Sequence, residues 1–192
     1  MPILDHFGII APCYDRVIRL RAAQKLIDAA SLPIQGALLD AGGGTGRVAE
    51  ALHSLAGSVI VADLSFLMLK QAQRKVGLIS VCSVTERLPF PSETFERVIM
   101  VDALHHVSNQ AETATELWRI LKSRGRLVIE EPDIRKFSVK LMALVEKLAF
   151  MRSHFLAPHA ITRLFPYGNA RISIESEGFN AWVVIEKLES GS

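Results

Sequence analysis

The 192-residue sequence is poor in cysteine: Cys13 and Cys82 stand far apart and outside any CxxC spacing. A disulfide framework or zinc ribbon has no support, and reduced thiols in a cytoplasmic setting suit the pair. Charge of one sign is equally scarce, since 22 Lys plus Arg face 20 Asp plus Glu and leave a formal +2. So small an excess does not build the basic field of a dedicated nucleic-acid binder, and nucleic acid is not an expected partner. No stretch reaches the roughly 18 apolar residues that span a bilayer. The opening MPILDHFGIIAPCYD lacks a basic region ahead of an apolar one, so no signal peptide is expected. HExxH and compact Cys/His clusters are also missing, and no metal centre is expected.

What the chain does have is apolar side chain, 49% of its residues with a mean hydropathy of +0.26, enough for a core. Its length suits one domain. A leading amphipathic helix is expected from Asp15 to Ala30, closed by Pro33 and Gly36. Strand-like and helix-like segments then alternate: Ala37 to Asp40, Thr45 to Leu55, Ser58 to Asp63, Phe66 to Lys75, Leu78 to Ser83, Phe95 to Val101, Ala111 to Lys122 and Arg126 to Glu130. Alternation of this kind predicts a parallel sheet with crossover helices, and ALLD, VIVAD and RVIMV, apolar on both faces, are its central strands. Beyond Pro132 a long helix from Arg135 to Met151 and another from Pro158 to Phe165 predict a lid. Arg171 to Ser176 and Ala181 to Leu188, separated by a turn, predict a closing antiparallel hairpin, with a short helix ending at Gly178 and one last strand as the alternative.

The segment LLDAGGGTGRVAEAL joins a strand ending at Asp40 to a helix opening near Thr45, through glycines at 42, 43, 44 and 46. Such a loop lets a ligand approach the backbone while free N–H groups at the helix start present positive dipole ends. A dinucleotide fingerprint, GxGxxG, would need glycine where Arg47 stands, and the frame is DxGxGxG instead. Asp40 is poorly placed beside phosphates and favours a ligand with positive charge. S-adenosylmethionine has such charges, on its sulfonium and its amino group. The next strand, SVIVAD, ends in Asp63 about twenty residues on, where a carboxylate accepts from ribose hydroxyls. Leu64 and Met68 are candidates to pack on the adenine, with helix-side core packing as their other reading.

DAGGGTG, VADLS, TERLPFPSETFERV, DALHHV and ELWRILKSRGRLVIEEPD, in this order, resemble the class I S-adenosylmethionine methyltransferases over about Phe7 to Pro132. The opening FGIIAPCYD is similar to the start of the ubiquinone and menaquinone biosynthesis methyltransferase group. The resemblance implies an α/β fold: a doubly wound, mostly parallel seven-stranded Rossmann-like sheet, with a C-terminal antiparallel hairpin and a helical lid. It implies one domain, with residues 1–35 an N-terminal helical segment, 36–132 the donor-binding core, 133–168 the lid and 169–192 the last strands. S-adenosylmethionine is the implied cofactor and S-adenosylhomocysteine its product. The implied donor contacts are Tyr14, Asp40, Ala41, Gly42, Gly44, Asp63, Leu64, Met68, Thr85, Glu86 and Val101. The family's D-A-E before LPF is here Val84-Thr85-Glu86, so Thr85 or a backbone group must serve the adenine. The string after strand four, Val101-Asp102-Ala103-Leu104-His105-His106, also departs from the quinone enzymes.

Methyl transfer asks mainly for orientation, exclusion of water and, for some acceptors, removal of a proton. His106, taken as an imidazole of ordinary basicity at the end of strand four, is the candidate base, and His105 the one expected to be structural. The acceptor expected is small and aromatic or lipid-like. The alternatives are a non-catalytic S-adenosylmethionine-binding or regulatory protein and a nicotinamide-dependent oxidoreductase. The helix from Arg135, with Lys136, Lys140, Lys147 and Arg152 among apolar residues, is either a membrane-touching surface or a face packed on the sheet or on a second copy in a homodimer.

Overall fold

The computed structural model describes residues 21–137, 139–141, 144 and 153–189. Helix α1 (Arg21–Ala30) leads to β1 (Ala37–Ala41), α2 (Arg47–Leu52), β2 (Ser58–Asp63), α3 (Phe66–Ala72) and β3 (Leu78–Cys82). Then come β4 (Phe95–Val101), a single helical turn Leu104–His106, α4 (Gln110–Ile120), β5 (Leu121–Pro132), α5 (Pro158–Thr162), β6 (Ala170–Glu177) and β7 (Asn180–Lys187). The strands order as β3-β2-β1-β4-β5-β7-β6. All pairings among β1 to β5 are parallel, and β7 runs antiparallel to both neighbours.

Each central strand buries both faces because its apolar run leaves neither for water. Leu39, Ile60, Val98, Met100, Leu127 and Ile129 face one way, under Ala114, Leu117 and Trp118 of α4 and Ile161 of α5. Leu38, Val59, Val61, Ile99 and Val128 face the other, under Leu26 of α1, Leu52 of α2 and Leu69 of α3. Local signals set the helix ends. Asn109 caps α4 by accepting from Ala111 N and Glu112 N at 3.1 and 3.2 Å. At the carboxyl end of α1, Arg97 and Arg126 donate to the last carbonyls, Ala30 O and Ala29 O.

Strand β5 is longer than its apolar core, Arg126 to Glu130, suggests. It starts directly from α4 at Leu121, and a register shift against Phe95 and Arg97 absorbs the polar Lys122 to Arg124. The last two strands form the hairpin, with Gly178 at φ +58° in the turn, which excludes the helix-and-strand alternative. The first part of the leading helix, Tyr14 and most of the presumed lid helix lie outside the described residues; 137, 139–141 and 144 are helical. Among the described residues no helix is long and apolar enough to cross a membrane.

Chain order reverses between β1 and β4, and a crevice opens at the carboxyl ends of the strands there. Ile99, fully buried in β4 beside Asp40 of β1, supports that point from beneath. Ile99→Ala is expected to cost about 3 kcal/mol. Val76→Ala, at a position 82% exposed, is expected to cost no more than about 0.5 kcal/mol. Urea unfolding of the two variants side by side checks the contrast.

Candidate functional site

Strand β1 ends at the switch point in Asp40 and Ala41, which are 1% and 0% exposed. The chain then turns back over the sheet, and Gly42 N donates to Ala62 O of β2 at 2.7 Å. The Asp40 carboxyl lies under Gly43, where a Cβ would sit 2.5 Å from its Cγ, so only glycine leaves that space. Asp40 Oδ2 is buried with no hydrogen-bond partner among the described residues. Burial, with repulsion from Asp63 added, pushes the Asp40 pKa up to about 7, while the Ala49 backbone and Arg47 offset part of the rise. An acid in this state is poised to receive a cation.

Asp63, at the end of β2, ties the glycine loop to the next helix. Gly44 N donates to its Oδ2 at 2.8 Å and Ser65 N to its Oδ1 at 2.7 Å. Gly44 takes φ +54°, the left-handed region that aims its N–H this way. Leu64 beside it is 64% exposed, whereas Met68 is buried under the loop. Ser83 N donates to Asp63 O at 3.0 Å, which brings the loop after β3 alongside. In that loop Thr85 is buried with its hydroxyl 3.1 Å from that of Thr113. Glu86 accepts from Ser108 N and Asn109 N at 2.8 and 3.0 Å, and so fastens one loop to another. The structure thus gathers Asp40, Ala41, Gly42, Gly44, Asp63, Leu64 and Met68 around one bend, with Thr85 and Glu86 in the adjoining loop. Val101, half-buried at the end of β4, lies on the same face of the sheet as Asp40.

Sequence reasoning missed Glu130, Arg47 and Trp182. Glu130 is 4% exposed and accepts from Asn180 Nδ2 through Oε1 at 2.6 Å, while its Oε2 has no hydrogen-bond partner among the described residues. Trp182 Nε1 lies close enough to bear on its charge but outside hydrogen-bond geometry. Burial pushes the Glu130 pKa up. The signal was the pair Glu130-Glu131 closing an otherwise apolar strand, since two acids are costly at the end of a buried strand unless each meets a partner or a ligand.

Glu131, on the opposite face, holds the loop after β4. Its Oε1 accepts from Ala103 N at 3.0 Å and Leu104 N at 2.7 Å, and its Oε2 lies 2.6 Å from His105 Nδ1. His105 is 2% exposed and stacks on Phe155 with ring centroids 4.2 Å apart. His106, its ring centroid 3.9 Å from that of His105, reaches Ser153 Oγ at 3.4 Å. Burial and the neighbouring His105 push the His106 pKa down to about 3, so it is not the imidazole of ordinary basicity that the sequence suggested. Glu131→Ala, which leaves two backbone donors and an imidazole nitrogen buried without their acceptor, is expected to cost about 2 kcal/mol in urea unfolding.

Residues 39–129 match the model of the methyltransferase domain family. The ubiquinone/menaquinone biosynthesis C-methyltransferase UbiE of Marinomonas sp. (strain MWYL1) is 34% identical over 104 residues, 49% of this chain and 41% of that protein. The chain spans less than half the length of such curated relatives. A possible histamine N-methyltransferase from Thermotoga maritima superposes with a TM-score of 0.78 at 20% identity, covering 94% of this chain and 98% of that one. The cyclase SpnF does so with a TM-score of 0.75 at 14% identity, covering 88% and 81%. At such identities these two structures speak to fold alone. The matched methyltransferase domain thus lies at the centre of a sheet in this strand order, a likeness that covers just under half of the chain.

Proposed function

We propose that the chain transfers a methyl group from S-adenosylmethionine to a small aromatic or lipid-like acceptor. The observation that carries this reading is the buried Asp40 carboxyl, one oxygen unpartnered, under a glycine loop fastened to Asp63. When bound, the donor supplies a methyl group already activated by its sulfonium. An orphaned acid fits that charge, which a neutral or anionic nucleoside would not satisfy. A carboxylate offers about four lone-pair sites, so ribose hydroxyls can join the backbone N–H groups at Asp63. Leu64 and Met68 give the adenine an apolar edge, with Thr85 and Glu86 bordering it. The backbone of Ala41, Gly42 and Gly44 and the side chain of Val101 line the bend, and Tyr14, outside the described residues, is a donor contact on the sequence resemblance alone. His106 stays neutral across the physiological range and orients the acceptor by contact and hydrogen bonding, not as a strong base. Phe137, Leu141 and Leu144, all exposed beside Lys136 and Lys140, support an apolar, basic entrance for such an acceptor.

A cyclase shares this fold, so the fold alone does not fix methyl transfer, and a second reading has the nucleoside bound with no methyl group moved. Radiolabelled methyl transfer to phenols, quinols, amines and lipid extracts separates the two. Labelled product supports the transferase, and donor binding without product from any class leaves the binder.

The Asp40 carboxyl also predicts how binding follows pH. A cation needs the ionised acid, so with a pKa of about 7 in the free protein, calorimetry should find S-adenosylmethionine bound about tenfold more weakly at pH 6 than at pH 8. Stability runs the other way. The folded chain holds this proton more tightly than the unfolded chain, with its ordinary 3.8, so Asp40 costs stability as pH rises from 3.8 to about 7. Asp40→Asn is therefore expected to raise Tm at pH 8, leave it unchanged near pH 3, and abolish the pH dependence of donor binding.

A further inference from the structure

The amino ends of the parallel strands carry a second concentration of charge, at the opposite end of the sheet from the glycine bend. One register line crosses four strands there: Arg97 of β4 lies beside Arg126 of β5, Arg126 beside Glu186 of β7, and Glu186 beside Arg171 of β6. Three arginines thus share a row with a single acid. Glu186 serves both of its neighbours, pairing with Arg126 and lying 3.4 Å from Arg171. Arg97 and Arg126 have no acid between them, and like charges side by side across strands repel. Burial, with that repulsion added, holds the Arg97 pKa below its ordinary value, although Glu96 and Glu186 offset part of the fall.

The carboxyl end of α1 answers some of this charge. Arg97 donates to Ala30 O, Glu96 O and Ser31 O, and Arg126 to Ala29 O, the Ser31 hydroxyl and Glu186. Each guanidinium thereby uses three of its five N–H groups, and the others have no acceptor among the described residues. Beside the row opens a cavity of about 350 Å³, whose charged lining is Arg97, Arg124, Arg126 and Lys187 against Glu186 and Glu189. Lys187 is engaged, since it donates to Trp118 O and Leu121 O and pairs with Glu93 at 3.3 Å. Arg124, exposed and paired with Glu189 at 2.8 Å, stands at φ +61°. Gly125 follows it because a Cβ there would meet Lys122 O at 2.7 Å, and this tight course sets Arg124 and Arg126 on one opening.

Four cations against two carboxylates leave two positive charges in excess. A phosphomonoester above its second pKa, about 6, carries nearly two negative ones, with three oxygens that accept from planar guanidinium forks. We propose that this cavity binds the phosphate group of a phosphomonoester, held by Arg97, Arg126 and Arg124. The adjoining groove along α1 carries Asp28, Glu175 and Glu177, so the body of the ester leaves on the side of Arg124 and Leu188. The site does not depend on the donor reading, because Arg97 lies four residues before Val101 on β4, roughly 13 Å from the glycine bend.

A phosphomonoester is presented both by soluble metabolites and by the headgroup of an acidic lipid. Calorimetry at constant ionic strength with glycerol 3-phosphate tests the first source, and flotation with phosphatidylcholine vesicles, with and without phosphatidic acid, tests the second. Wild type should bind glycerol 3-phosphate saturably, or only the vesicles that contain phosphatidic acid, which would name the headgroup as the source. In either case Arg124→Gln, which removes an exposed side chain and spares the α1 carbonyls their donors, should weaken binding by about tenfold or more, the worth of a charged hydrogen bond. Arg97→Lys, which keeps the charge and loses the fork, should weaken it as well. Arg47→Gln, at the glycine bend, should leave it within about threefold. Binding that is unchanged in Arg124→Gln overturns the proposal, as does binding lost in Arg47→Gln, which would move the phosphate to the bend. Wild type that binds neither glycerol 3-phosphate nor the phosphatidic acid vesicles overturns it too.

Discussion

A carboxyl group taken out of water with one oxygen left unmatched is the constraint around which the upper part of this sheet is arranged. Asp40 cannot be buried there unless the chain above it carries no side chain, which makes Gly43 necessary. The bend that follows needs an anchor, and Asp63 supplies it by accepting from Gly44 on one side and Ser65 on the other. The cost of an unpaired acid is thus met by a rigid frame around it. An acid held in this way costs the fold stability while it is ionised and unpaired.

Elsewhere at this end of the sheet, acids do the work that regular backbone pairing does within the strands. Glu86 accepts from Ser108 and Asn109, Glu116 from Leu88, and Glu131 from Ala103 and Leu104. Each carboxylate ties a connection to a segment 22 to 28 residues away in the chain. At the opposite end of the sheet Arg119, in the last turn of α4, holds the run into β4 by donating to Phe90 O and Leu88 O. The loops that frame the crevice are therefore fixed by charged hydrogen bonds, which are stronger than neutral ones.

The strands with two apolar faces were legible because burial on both sides demands unbroken runs such as SVIVAD, and the glycine bend because its spacing departs from the dinucleotide frame. Asp40 and Asp63 stood out as acids at the ends of such runs. The start of β5 was hidden since Lys122 to Arg124 look like a turn, and only pairing with β4 draws them into the sheet. The histidines show the limit from another direction. That two imidazoles follow β4 is written in the chain, but the basicity of His106 depends on what surrounds it, and those neighbours come from Ser153 and His105 in the folded state. Arg47 and Glu130 were missed for a like reason, since they are distant in sequence and meet only when β1, β4 and β5 lie side by side.

Glu130 and Glu131 are consecutive residues of one strand, and the pleat sends them to opposite faces. One therefore belongs to the side of α1 and α2 and the other to the His105 loop, with no flexible joint between. A slip of β5 by a single residue would exchange their sides and put the wrong acid into both places at once. The hairpin partner β7 and the direct run-on from α4 grip this strand at either end, so the two halves of the crevice are kept in step by one piece of backbone.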